Sequence, residues 1–183
     1  MEMIETKLKG LVVIKPKVFE DARGYFFESY NQQAFHEAGL NLNFVQDNQS
    51  LSQKGVLRGL HFQNQPHAQG KLVRVINGGV YDVAVDIRKK SPTYGQWFGL
   101  ELTEKNKWMM YIPEGFAHGF ATLANDTVFS YKCTNLYHKA SEDCILWNDP
   151  DLGINWQVEH PLLSEKDLQG KKMKDFASLF NIA

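Results

Sequence analysis

The chain has 183 residues, 43% of them hydrophobic and 22% charged, with 20 Lys and Arg against 21 Asp and Glu. A formal charge of −1 excludes the basic excess of a general nucleic-acid binder, and this length suffices for one substantial core. The start, Met1 to Lys7, lacks the apolar run of a signal peptide, and no stretch reaches membrane-spanning length, so a soluble cytoplasmic protein with no membrane partner is expected.

Leu11 to Lys17 reads as a strand, ended around Pro16, and Asp21-Ala22-Arg23-Gly24 as a turn. Tyr25 to Tyr30 is predicted as a second strand. Asn31 is placed to cap a short helix, Gln32 to Ala38, which Gly39 can end. Phe44 to Leu51 and Val56 to Gln63 read as further strands. Leu72 to Ile76 is apolar on both faces, and Asn77-Gly78-Gly79 is a tight turn. From Val80 to Ile87 the pattern alternates, with Tyr81, Val83, Val85 and Ile87 on one face and Asp82, Ala84 and Asp86 on the other. Strands follow at Gln96 to Leu102, Trp108 to Ile112, Phe116 to Leu123 and Thr127 to Thr134. Leu163 to Phe180 then has helical spacing behind Ser164, a plausible N-cap.

Many short strands with Gly- and Pro-marked turns make the fold class mainly β, a jelly-roll β-barrel with short helices at its ends. No repeat, low-complexity tract or linker divides residues 1–183, so a single domain with a C-terminal helix is expected. The 13% aromatic share suits strands and ligand-stacking walls. Cys133 and Cys144, the only cysteines, are too few for a disulfide framework and are expected reduced.

Several ionisable residues fall inside strand signals, where charge needs a partner or a task. His61 is one. Strict alternation puts Leu57, Gly59 and His61 on one face and Arg58 and Leu60 on the other, which keeps Arg58 and His61 apart. A bulge at Gly59 would re-aim the side chains and bring them together. His61 is thus either a proton-transferring imidazole or a hydrogen-bonded core histidine. Lys71, at the head of an apolar strand, has a snorkelling alternative. His118 shares a face with Phe116 and Phe120 and looks inward if they do. Tyr131 is either a packed phenol or a general acid. In Ser164-Glu165-Lys166-Asp167 the spacing of a capping box ties Asp167 to helix initiation, though its carboxylate can still orient a histidine. His61, His67 and His118 are available to a metal, but neither a close His-X-His pair nor His-Glu-X-X-His occurs, and no glycine-rich phosphate loop is present.

An ordered set of motifs spans nearly the whole chain. It comprises Arg23-Gly24 with Phe27-Glu28, Gln46-Asp47-Asn48, Gly55-Val56-Leu57-Arg58-Gly59-Leu60-His61-Phe62-Gln63, Gly70-Lys71-Leu72-Val73-Arg74-Val75, the run Tyr111 to Phe120, Tyr131-Lys132-Cys133-Thr134, Asn148-Asp149-Pro150 and Leu163-Ser164-Glu165-Lys166-Asp167. This set resembles the dTDP-4-dehydrorhamnose 3,5-epimerase family. The resemblance implies a cofactor-free, cupin-type barrel that forms a homodimer and acts on a dTDP-linked 4-keto-6-deoxy sugar. It implies that His61 is the base, that Asp167 orients it, that Tyr131 protonates the far face and that Lys71 sits by the enolate oxygen. It further implies that Arg58 and His118 bind polar sugar or phosphate groups and that Tyr137 stacks on thymine, six residues after Tyr131 on a regular strand. Arg23, Glu28, Gln46, Asp47, Asn48, Glu142 and Lys166 match binding positions, with Arg23 reaching across from a partner subunit. One departure is Gln49-Ser50-Leu51, where many members carry His-Ser-Arg or a similar group. The competing readings are an epimerase of a single centre, a metal-dependent cupin oxygenase and a non-catalytic sugar-nucleotide module.

Overall fold

A computed structural model describes residues 1–180 as two antiparallel sheets packed face to face. Strands β1 (Glu2–Glu5), β2 (Val12–Lys15), β5 (Gln46–Ser52), β7 (Lys71–Asn77), β10 (Met109–Ile112) and β12 (Thr127–Cys133) form the first, in the order β1-β2-β10-β7-β12-β5. Strands β6 (Leu57–Gln63), β8 (Gly79–Asp86), β9 (Trp97–Thr103), β11 (Phe116–Thr122) and β13 (Glu142–Cys144) form the second, in the order β13-β6-β11-β8-β9. A separate hairpin pairs β3 (Phe19–Asp21) with β4 (Gly24–Phe26).

The alternation in the sequence explains the layers. Val73, Val75, Phe129 and Met110 from the first sheet meet Val80, Ala84, Phe116 and Phe120 from the second, and this is the central core. The opposite face of β8, carrying Val83 and Val85, and Ile87 just past its end are covered by the C-terminal segment through Ile145, Trp156, Met173, Phe176 and Phe180. The outer face of the first sheet, at Val12, Ile14, Leu72 and Met109, is covered by Phe35. Phe35 lies on α1 (Gln32–Glu37), whose N-cap Asn31 accepts the Ala34 N–H at 3.2 Å, as the capping pattern predicts.

The strand expected from Tyr25 to Tyr30 ends at Phe26, as β4. The turn at Asn77-Gly78-Gly79 is tight, but β7 and β8 belong to different sheets, so it is a crossover between layers and not a hairpin. Gly78 has φ +80, and a Cβ there would lie 2.3 Å from Thr127 Oγ1. The helix expected from Leu163 to Phe180 is only one turn, α2 (Glu165–Leu168), followed by a 3-10 turn at Met173–Asp175. Between them Lys171 is drawn into strand-like pairing: its N–H donates to Cys144 O at 2.9 Å and its carbonyl accepts from Leu146 N at 2.8 Å. The three- and four-residue spacing of Met173, Phe176 and Phe180 serves a lid over the second sheet, not a helix face. Finally, β1, β3 and β13 go unread in the sequence, because they are short edge strands with little apolar signal.

Candidate active site

The inward faces of β5, β6, β7, β11 and β12 and the segment from Leu162 to Asp167 enclose a cavity of about 540 Å³. His61, Arg58, Lys71, His118, Tyr131, Lys166 and Asp167 all line it. The structure therefore brings together every residue expected to do proton chemistry.

Gly59 is what makes this possible. Between β6 and β11 the register runs His118↔His61 and then Phe120↔Arg58, so three steps on β6 oppose two on β11. This bulge resets the alternation and turns Arg58 and His61 to the same face. Gly59 has φ +138, and a Cβ on it would lie 2.4 Å from Gly119 Cα, so no other residue fits.

Asp167 serves both of its expected roles, one with each oxygen. Oδ2 accepts from the Ser164 N–H at 3.0 Å and closes the capping box. Oδ1 accepts from the Gly59 N–H at 3.0 Å and lies 2.8 Å from His61 Nε2. The oxygen sits off the ring N–H direction, so this contact acts as a charge pair more than as an aligned hydrogen bond. Burial opposes ionisation of Asp167, but His61, Ser164 and the Gly59 N–H outweigh it and hold the carboxyl well below the usual carboxylate range. With Nε2 facing a permanent anion, Nδ1 is the ring nitrogen left to take a proton from a bound molecule.

The remaining walls are cationic or phenolic. The Lys71 ammonium lies 5.8 Å from the Tyr131 ring centroid. Burial pushes the Lys71 ammonium down, while Cys133, Asp82 and Glu142 pull it back up. Burial pushes the Tyr131 phenol up, which keeps its proton on at neutral pH. Arg58 Nε donates to Ser52 Oγ at 3.2 Å and is otherwise turned to the cavity. His118 Nε2 lies 2.9 and 3.0 Å from the two oxygens of Asp82, a residue the sequence reading gave no task. A carboxylate at an inward position of an apolar strand was the signal that could have found it.

The expected nucleotide-binding residues divide into two groups. Tyr137 is not on a regular strand after Tyr131, because β12 ends at Cys133. It lies on the loop after β12 instead: its N–H donates to Gln46 Oε1 at 2.8 Å and its hydroxyl to Glu142 Oε2 at 2.9 Å. Glu142 in turn pairs with Lys166, and Gln46 donates to Asn48 at 3.1 Å, so these five residues form one polar chain that meets the cavity at Lys166. Burial opposes ionisation of Glu142, yet Lys166 and Tyr137 hold its carboxyl below its ordinary value.

Asp47, Arg23 and Glu28 are not brought to the cavity within one chain. Strand alternation turns Asp47 outward, where it pairs with Lys132 at 2.9 Å. Arg23 sits at the hairpin tip, paired with Asp21 at 2.6 Å, and Glu28 accepts from Asn31 Nδ2 at 3.0 Å. Of the two departures, Gln49 lines the cavity, as does the neighbouring Ser50, while Leu51 is exposed. Among the described residues no three His, Cys, Asp or Glu side chains converge as a metal site.

An imidazole backed by a carboxylate, with an ammonium and a phenol in the same antiparallel barrel, defines an acid–base enzyme of the jelly-roll class. The model of the family dTDP-4-dehydrorhamnose 3,5-epimerase matches residues 5–175. A Shigella flexneri protein named dTDP-4-dehydrorhamnose 3,5-epimerase is 54% identical over 96% of this chain and 97% of its own. The crystal structure of dTDP-4-dehydrorhamnose 3,5-epimerase from Elizabethkingia anophelis is 52% identical, with a TM-score of 0.91 over 96% of this chain and 97% of that one. That of a dTDP-6-deoxy-D-glucose-3,5-epimerase from Legionella pneumophila in complex with dTDP-4-keto-L-rhamnose is 50% identical, with a TM-score of 0.91 over 94% and 93%. The chain belongs to the dTDP-4-dehydrorhamnose 3,5-epimerase family.

Proposed function

We propose that this protein inverts C3 and C5 of dTDP-4-dehydro-6-deoxy-D-glucose, giving dTDP-4-dehydro-L-rhamnose, and that residues 1–183 act as one epimerase domain. The observation that carries the proposal is the His61–Asp167 pair, 2.8 Å apart, facing a cavity that also holds Lys71 and Tyr131. Both carbons flank the C4 ketone, so loss of either proton leaves an enolate whose charge rests on the same oxygen. One base and one cation can therefore serve both centres.

In each inversion His61 removes a proton from carbon, and the electron pair moves onto the C4 oxygen. The Lys71 ammonium faces that oxygen and attracts the anion more than the neutral ketone, the condition for acceleration. Tyr131 delivers a proton to the opposite face of the carbon, and the ketone re-forms. Asp167 orients the imidazole and stabilises its protonated form. At the rim, Tyr137 stacks on the nucleotide base, while Arg58, His118, Gln46, Asn48, Glu142 and Lys166 receive sugar and diphosphate groups. The Glu142–Lys166 pair supports this reading, since diphosphate oxygens can take the place of the Glu142 carboxylate on the lysine.

We further propose a homodimer in the cytoplasm. Phe19, Tyr25 and Phe26 on the β3–β4 hairpin are more than half exposed, and a partner covering them would draw Arg23 and Glu28 toward a second cavity. The two free, buried thiols, Cys133 and Cys144, suit a reducing compartment.

The test is incubation with dTDP-4-keto-6-deoxy-D-glucose in heavy water, followed by NMR of the two ring protons. Deuterium is expected at both carbons, with none entering in His61→Ala. Exchange at one carbon alone would identify an epimerase of a single centre, and substantial exchange in His61→Ala would remove that residue from the role of base.

A further inference from the structure

A second imidazole–carboxylate pair lies at the floor of the cavity. His118 on β11 stands directly opposite His61 on β6. Its Nε2 lies 2.9 and 3.0 Å from the two carboxylate oxygens of Asp82 on β8. Asp82 is 0% exposed and does not itself line the cavity. Its register partners are Phe120 on one side and Leu100 on the other, and the His118 ring lies 6.1 Å from that of Phe129. A carboxylate sealed among such residues stays charged only against a cation. His118 supplies the contact, and Lys71 acts on it from further off.

We propose that Asp82 is a positioning residue for the enolate side of the reaction, fixing His118 with its proton on Nε2 and setting a buried negative charge behind the cationic wall of the cavity. This rests on the epimerase reading above. The two pairs divide the work by their surroundings. Asp167 has backbone and hydroxyl donors besides His61 and is a permanent anion behind the base. Among the described residues Asp82 has His118 alone as hydrogen-bonding donor, so its carboxylate serves to hold that ring in place. With Nε2 committed to Asp82, Nδ1 is the His118 nitrogen left for the cavity, which Lys71 also lines.

The electrostatics agree in sign. Burial pushes the Asp82 carboxyl up, and His118 and Lys71 pull it down. Burial pushes Lys71 down, and Cys133, Asp82 and Glu142 oppose that, while Lys166 adds to it. Removing the negative charge of Asp82 therefore lets the Lys71 ammonium lose its proton at lower pH.

The test is Asp82→Asn, which keeps the shape and one acceptor oxygen but not the charge. Deuterium entry at saturating substrate is expected to fall roughly 10- to 100-fold with KM within about threefold, and the alkaline limb of the pH–rate profile to move to lower pH. A second readout needs no turnover: labelling of Lys71 by acetic anhydride against pH, followed by mass spectrometry. Its midpoint should move down in Asp82→Asn, and down also in His118→Gln, where the sealed carboxylate loses its hydrogen-bonding contact, takes up a proton and no longer supports the ammonium. If Asp82→Asn does not fold, His118→Gln decides. Labelling midpoints that stay at the wild-type value overturn the inference, and so does a rate loss with an unmoved pH profile. Failure of the wild-type protein to exchange deuterium would overturn the epimerase reading instead, and the labelling result would still stand.

Discussion

Replacing Asp167 by Asn separates the two duties that its carboxylate performs. Three donors and one charge partner converge on the two oxygens in the native protein: the Gly59 N–H donates to Oδ1, which His61 Nε2 faces at 2.8 Å, and the Ser164 N–H and hydroxyl donate to Oδ2. An amide keeps one oxygen. If it faces Ser164, the cap survives and the NH2 meets the Gly59 N–H and His61. If it faces Gly59, the cap loses its acceptor. Either way two groups of the buried cluster lose their partner, which costs about 2 to 6 kcal/mol at about 1 to 3 kcal/mol per buried group.

The cost to catalysis is larger. The orientation that preserves the cap places the NH2 beside His61 Nε2 and makes that nitrogen the acceptor, which moves the ring proton to Nδ1 and leaves no lone pair toward the substrate. The imidazolium also loses its anion. A wrong tautomer behind a catalytic histidine lowers turnover by roughly 10⁴-fold in the best-studied triad, and a drop of roughly 10³- to 10⁴-fold is expected here. Deuterium entry at C3 and C5 measures turnover, and thermal melting with dTDP binding measures whether the fold and the nucleotide site persist. A folded, nucleotide-binding Asp167→Asn protein exchanging within tenfold of wild type would refute the assignment of Asp167 as the orienting anion.

Tyr131→Phe should slow return of a proton more than its removal, so that exchange of substrate protons outlasts formation of inverted product; equal loss of both steps would make the tyrosine structural. Gly59→Ala should destabilise by about 2 to 4 kcal/mol, from a left-handed backbone and overpacking against Gly119, and melt well below wild type. An unchanged melting temperature would mean the bulge relaxes freely. Acid should weaken the fold through Asp167. Its carboxyl stays ionised in the folded chain far below the ordinary value of 3.8, whereas the unfolded chain takes up a proton near that value. The unfolded state then binds more protons, so stability present at neutral pH is lost as pH falls below about 4. Asp167→Asn should flatten that part of the denaturation-versus-pH curve, and an equal acid slope in both proteins would contradict it.

The strands were legible wherever apolar residues alternate or run on, because burial on one or both faces leaves that trace in Val80 to Ile87 and Leu72 to Ile76. The edges were not. Glu2 to Glu5 and Glu142 to Cys144 pair through backbone with few apolar side chains, so their signal is weak. The C-terminal segment misled because three- and four-residue spacing of apolar residues is common to a helix and to a strap laid over a sheet. Only the tertiary pairing of Lys171 with Cys144 and Leu146 decides between them. Sheet membership was equally hidden: nothing in Asn77-Gly78-Gly79 tells a hairpin from a crossover.

The site was legible in kind but not in arrangement. Ionisable residues inside strand signals marked His61, Lys71 and His118, yet simple alternation set Arg58 and His61 on opposite faces. One glycine reverses that, and its effect depends on Gly119 across the sheet, which no local pattern reports. The same bulge explains why Asp167 reaches His61 at all. The Gly59 N–H that would otherwise enter the ladder is free to donate to Oδ1, fixing the carboxylate 2.8 Å from the imidazole two residues on. Backbone irregularity, helix cap and catalytic pair are thus one hydrogen-bonded unit. A change at Gly59, Ser164 or Asp167 should register in both stability and turnover, whereas a change at Tyr131 should leave the fold largely intact.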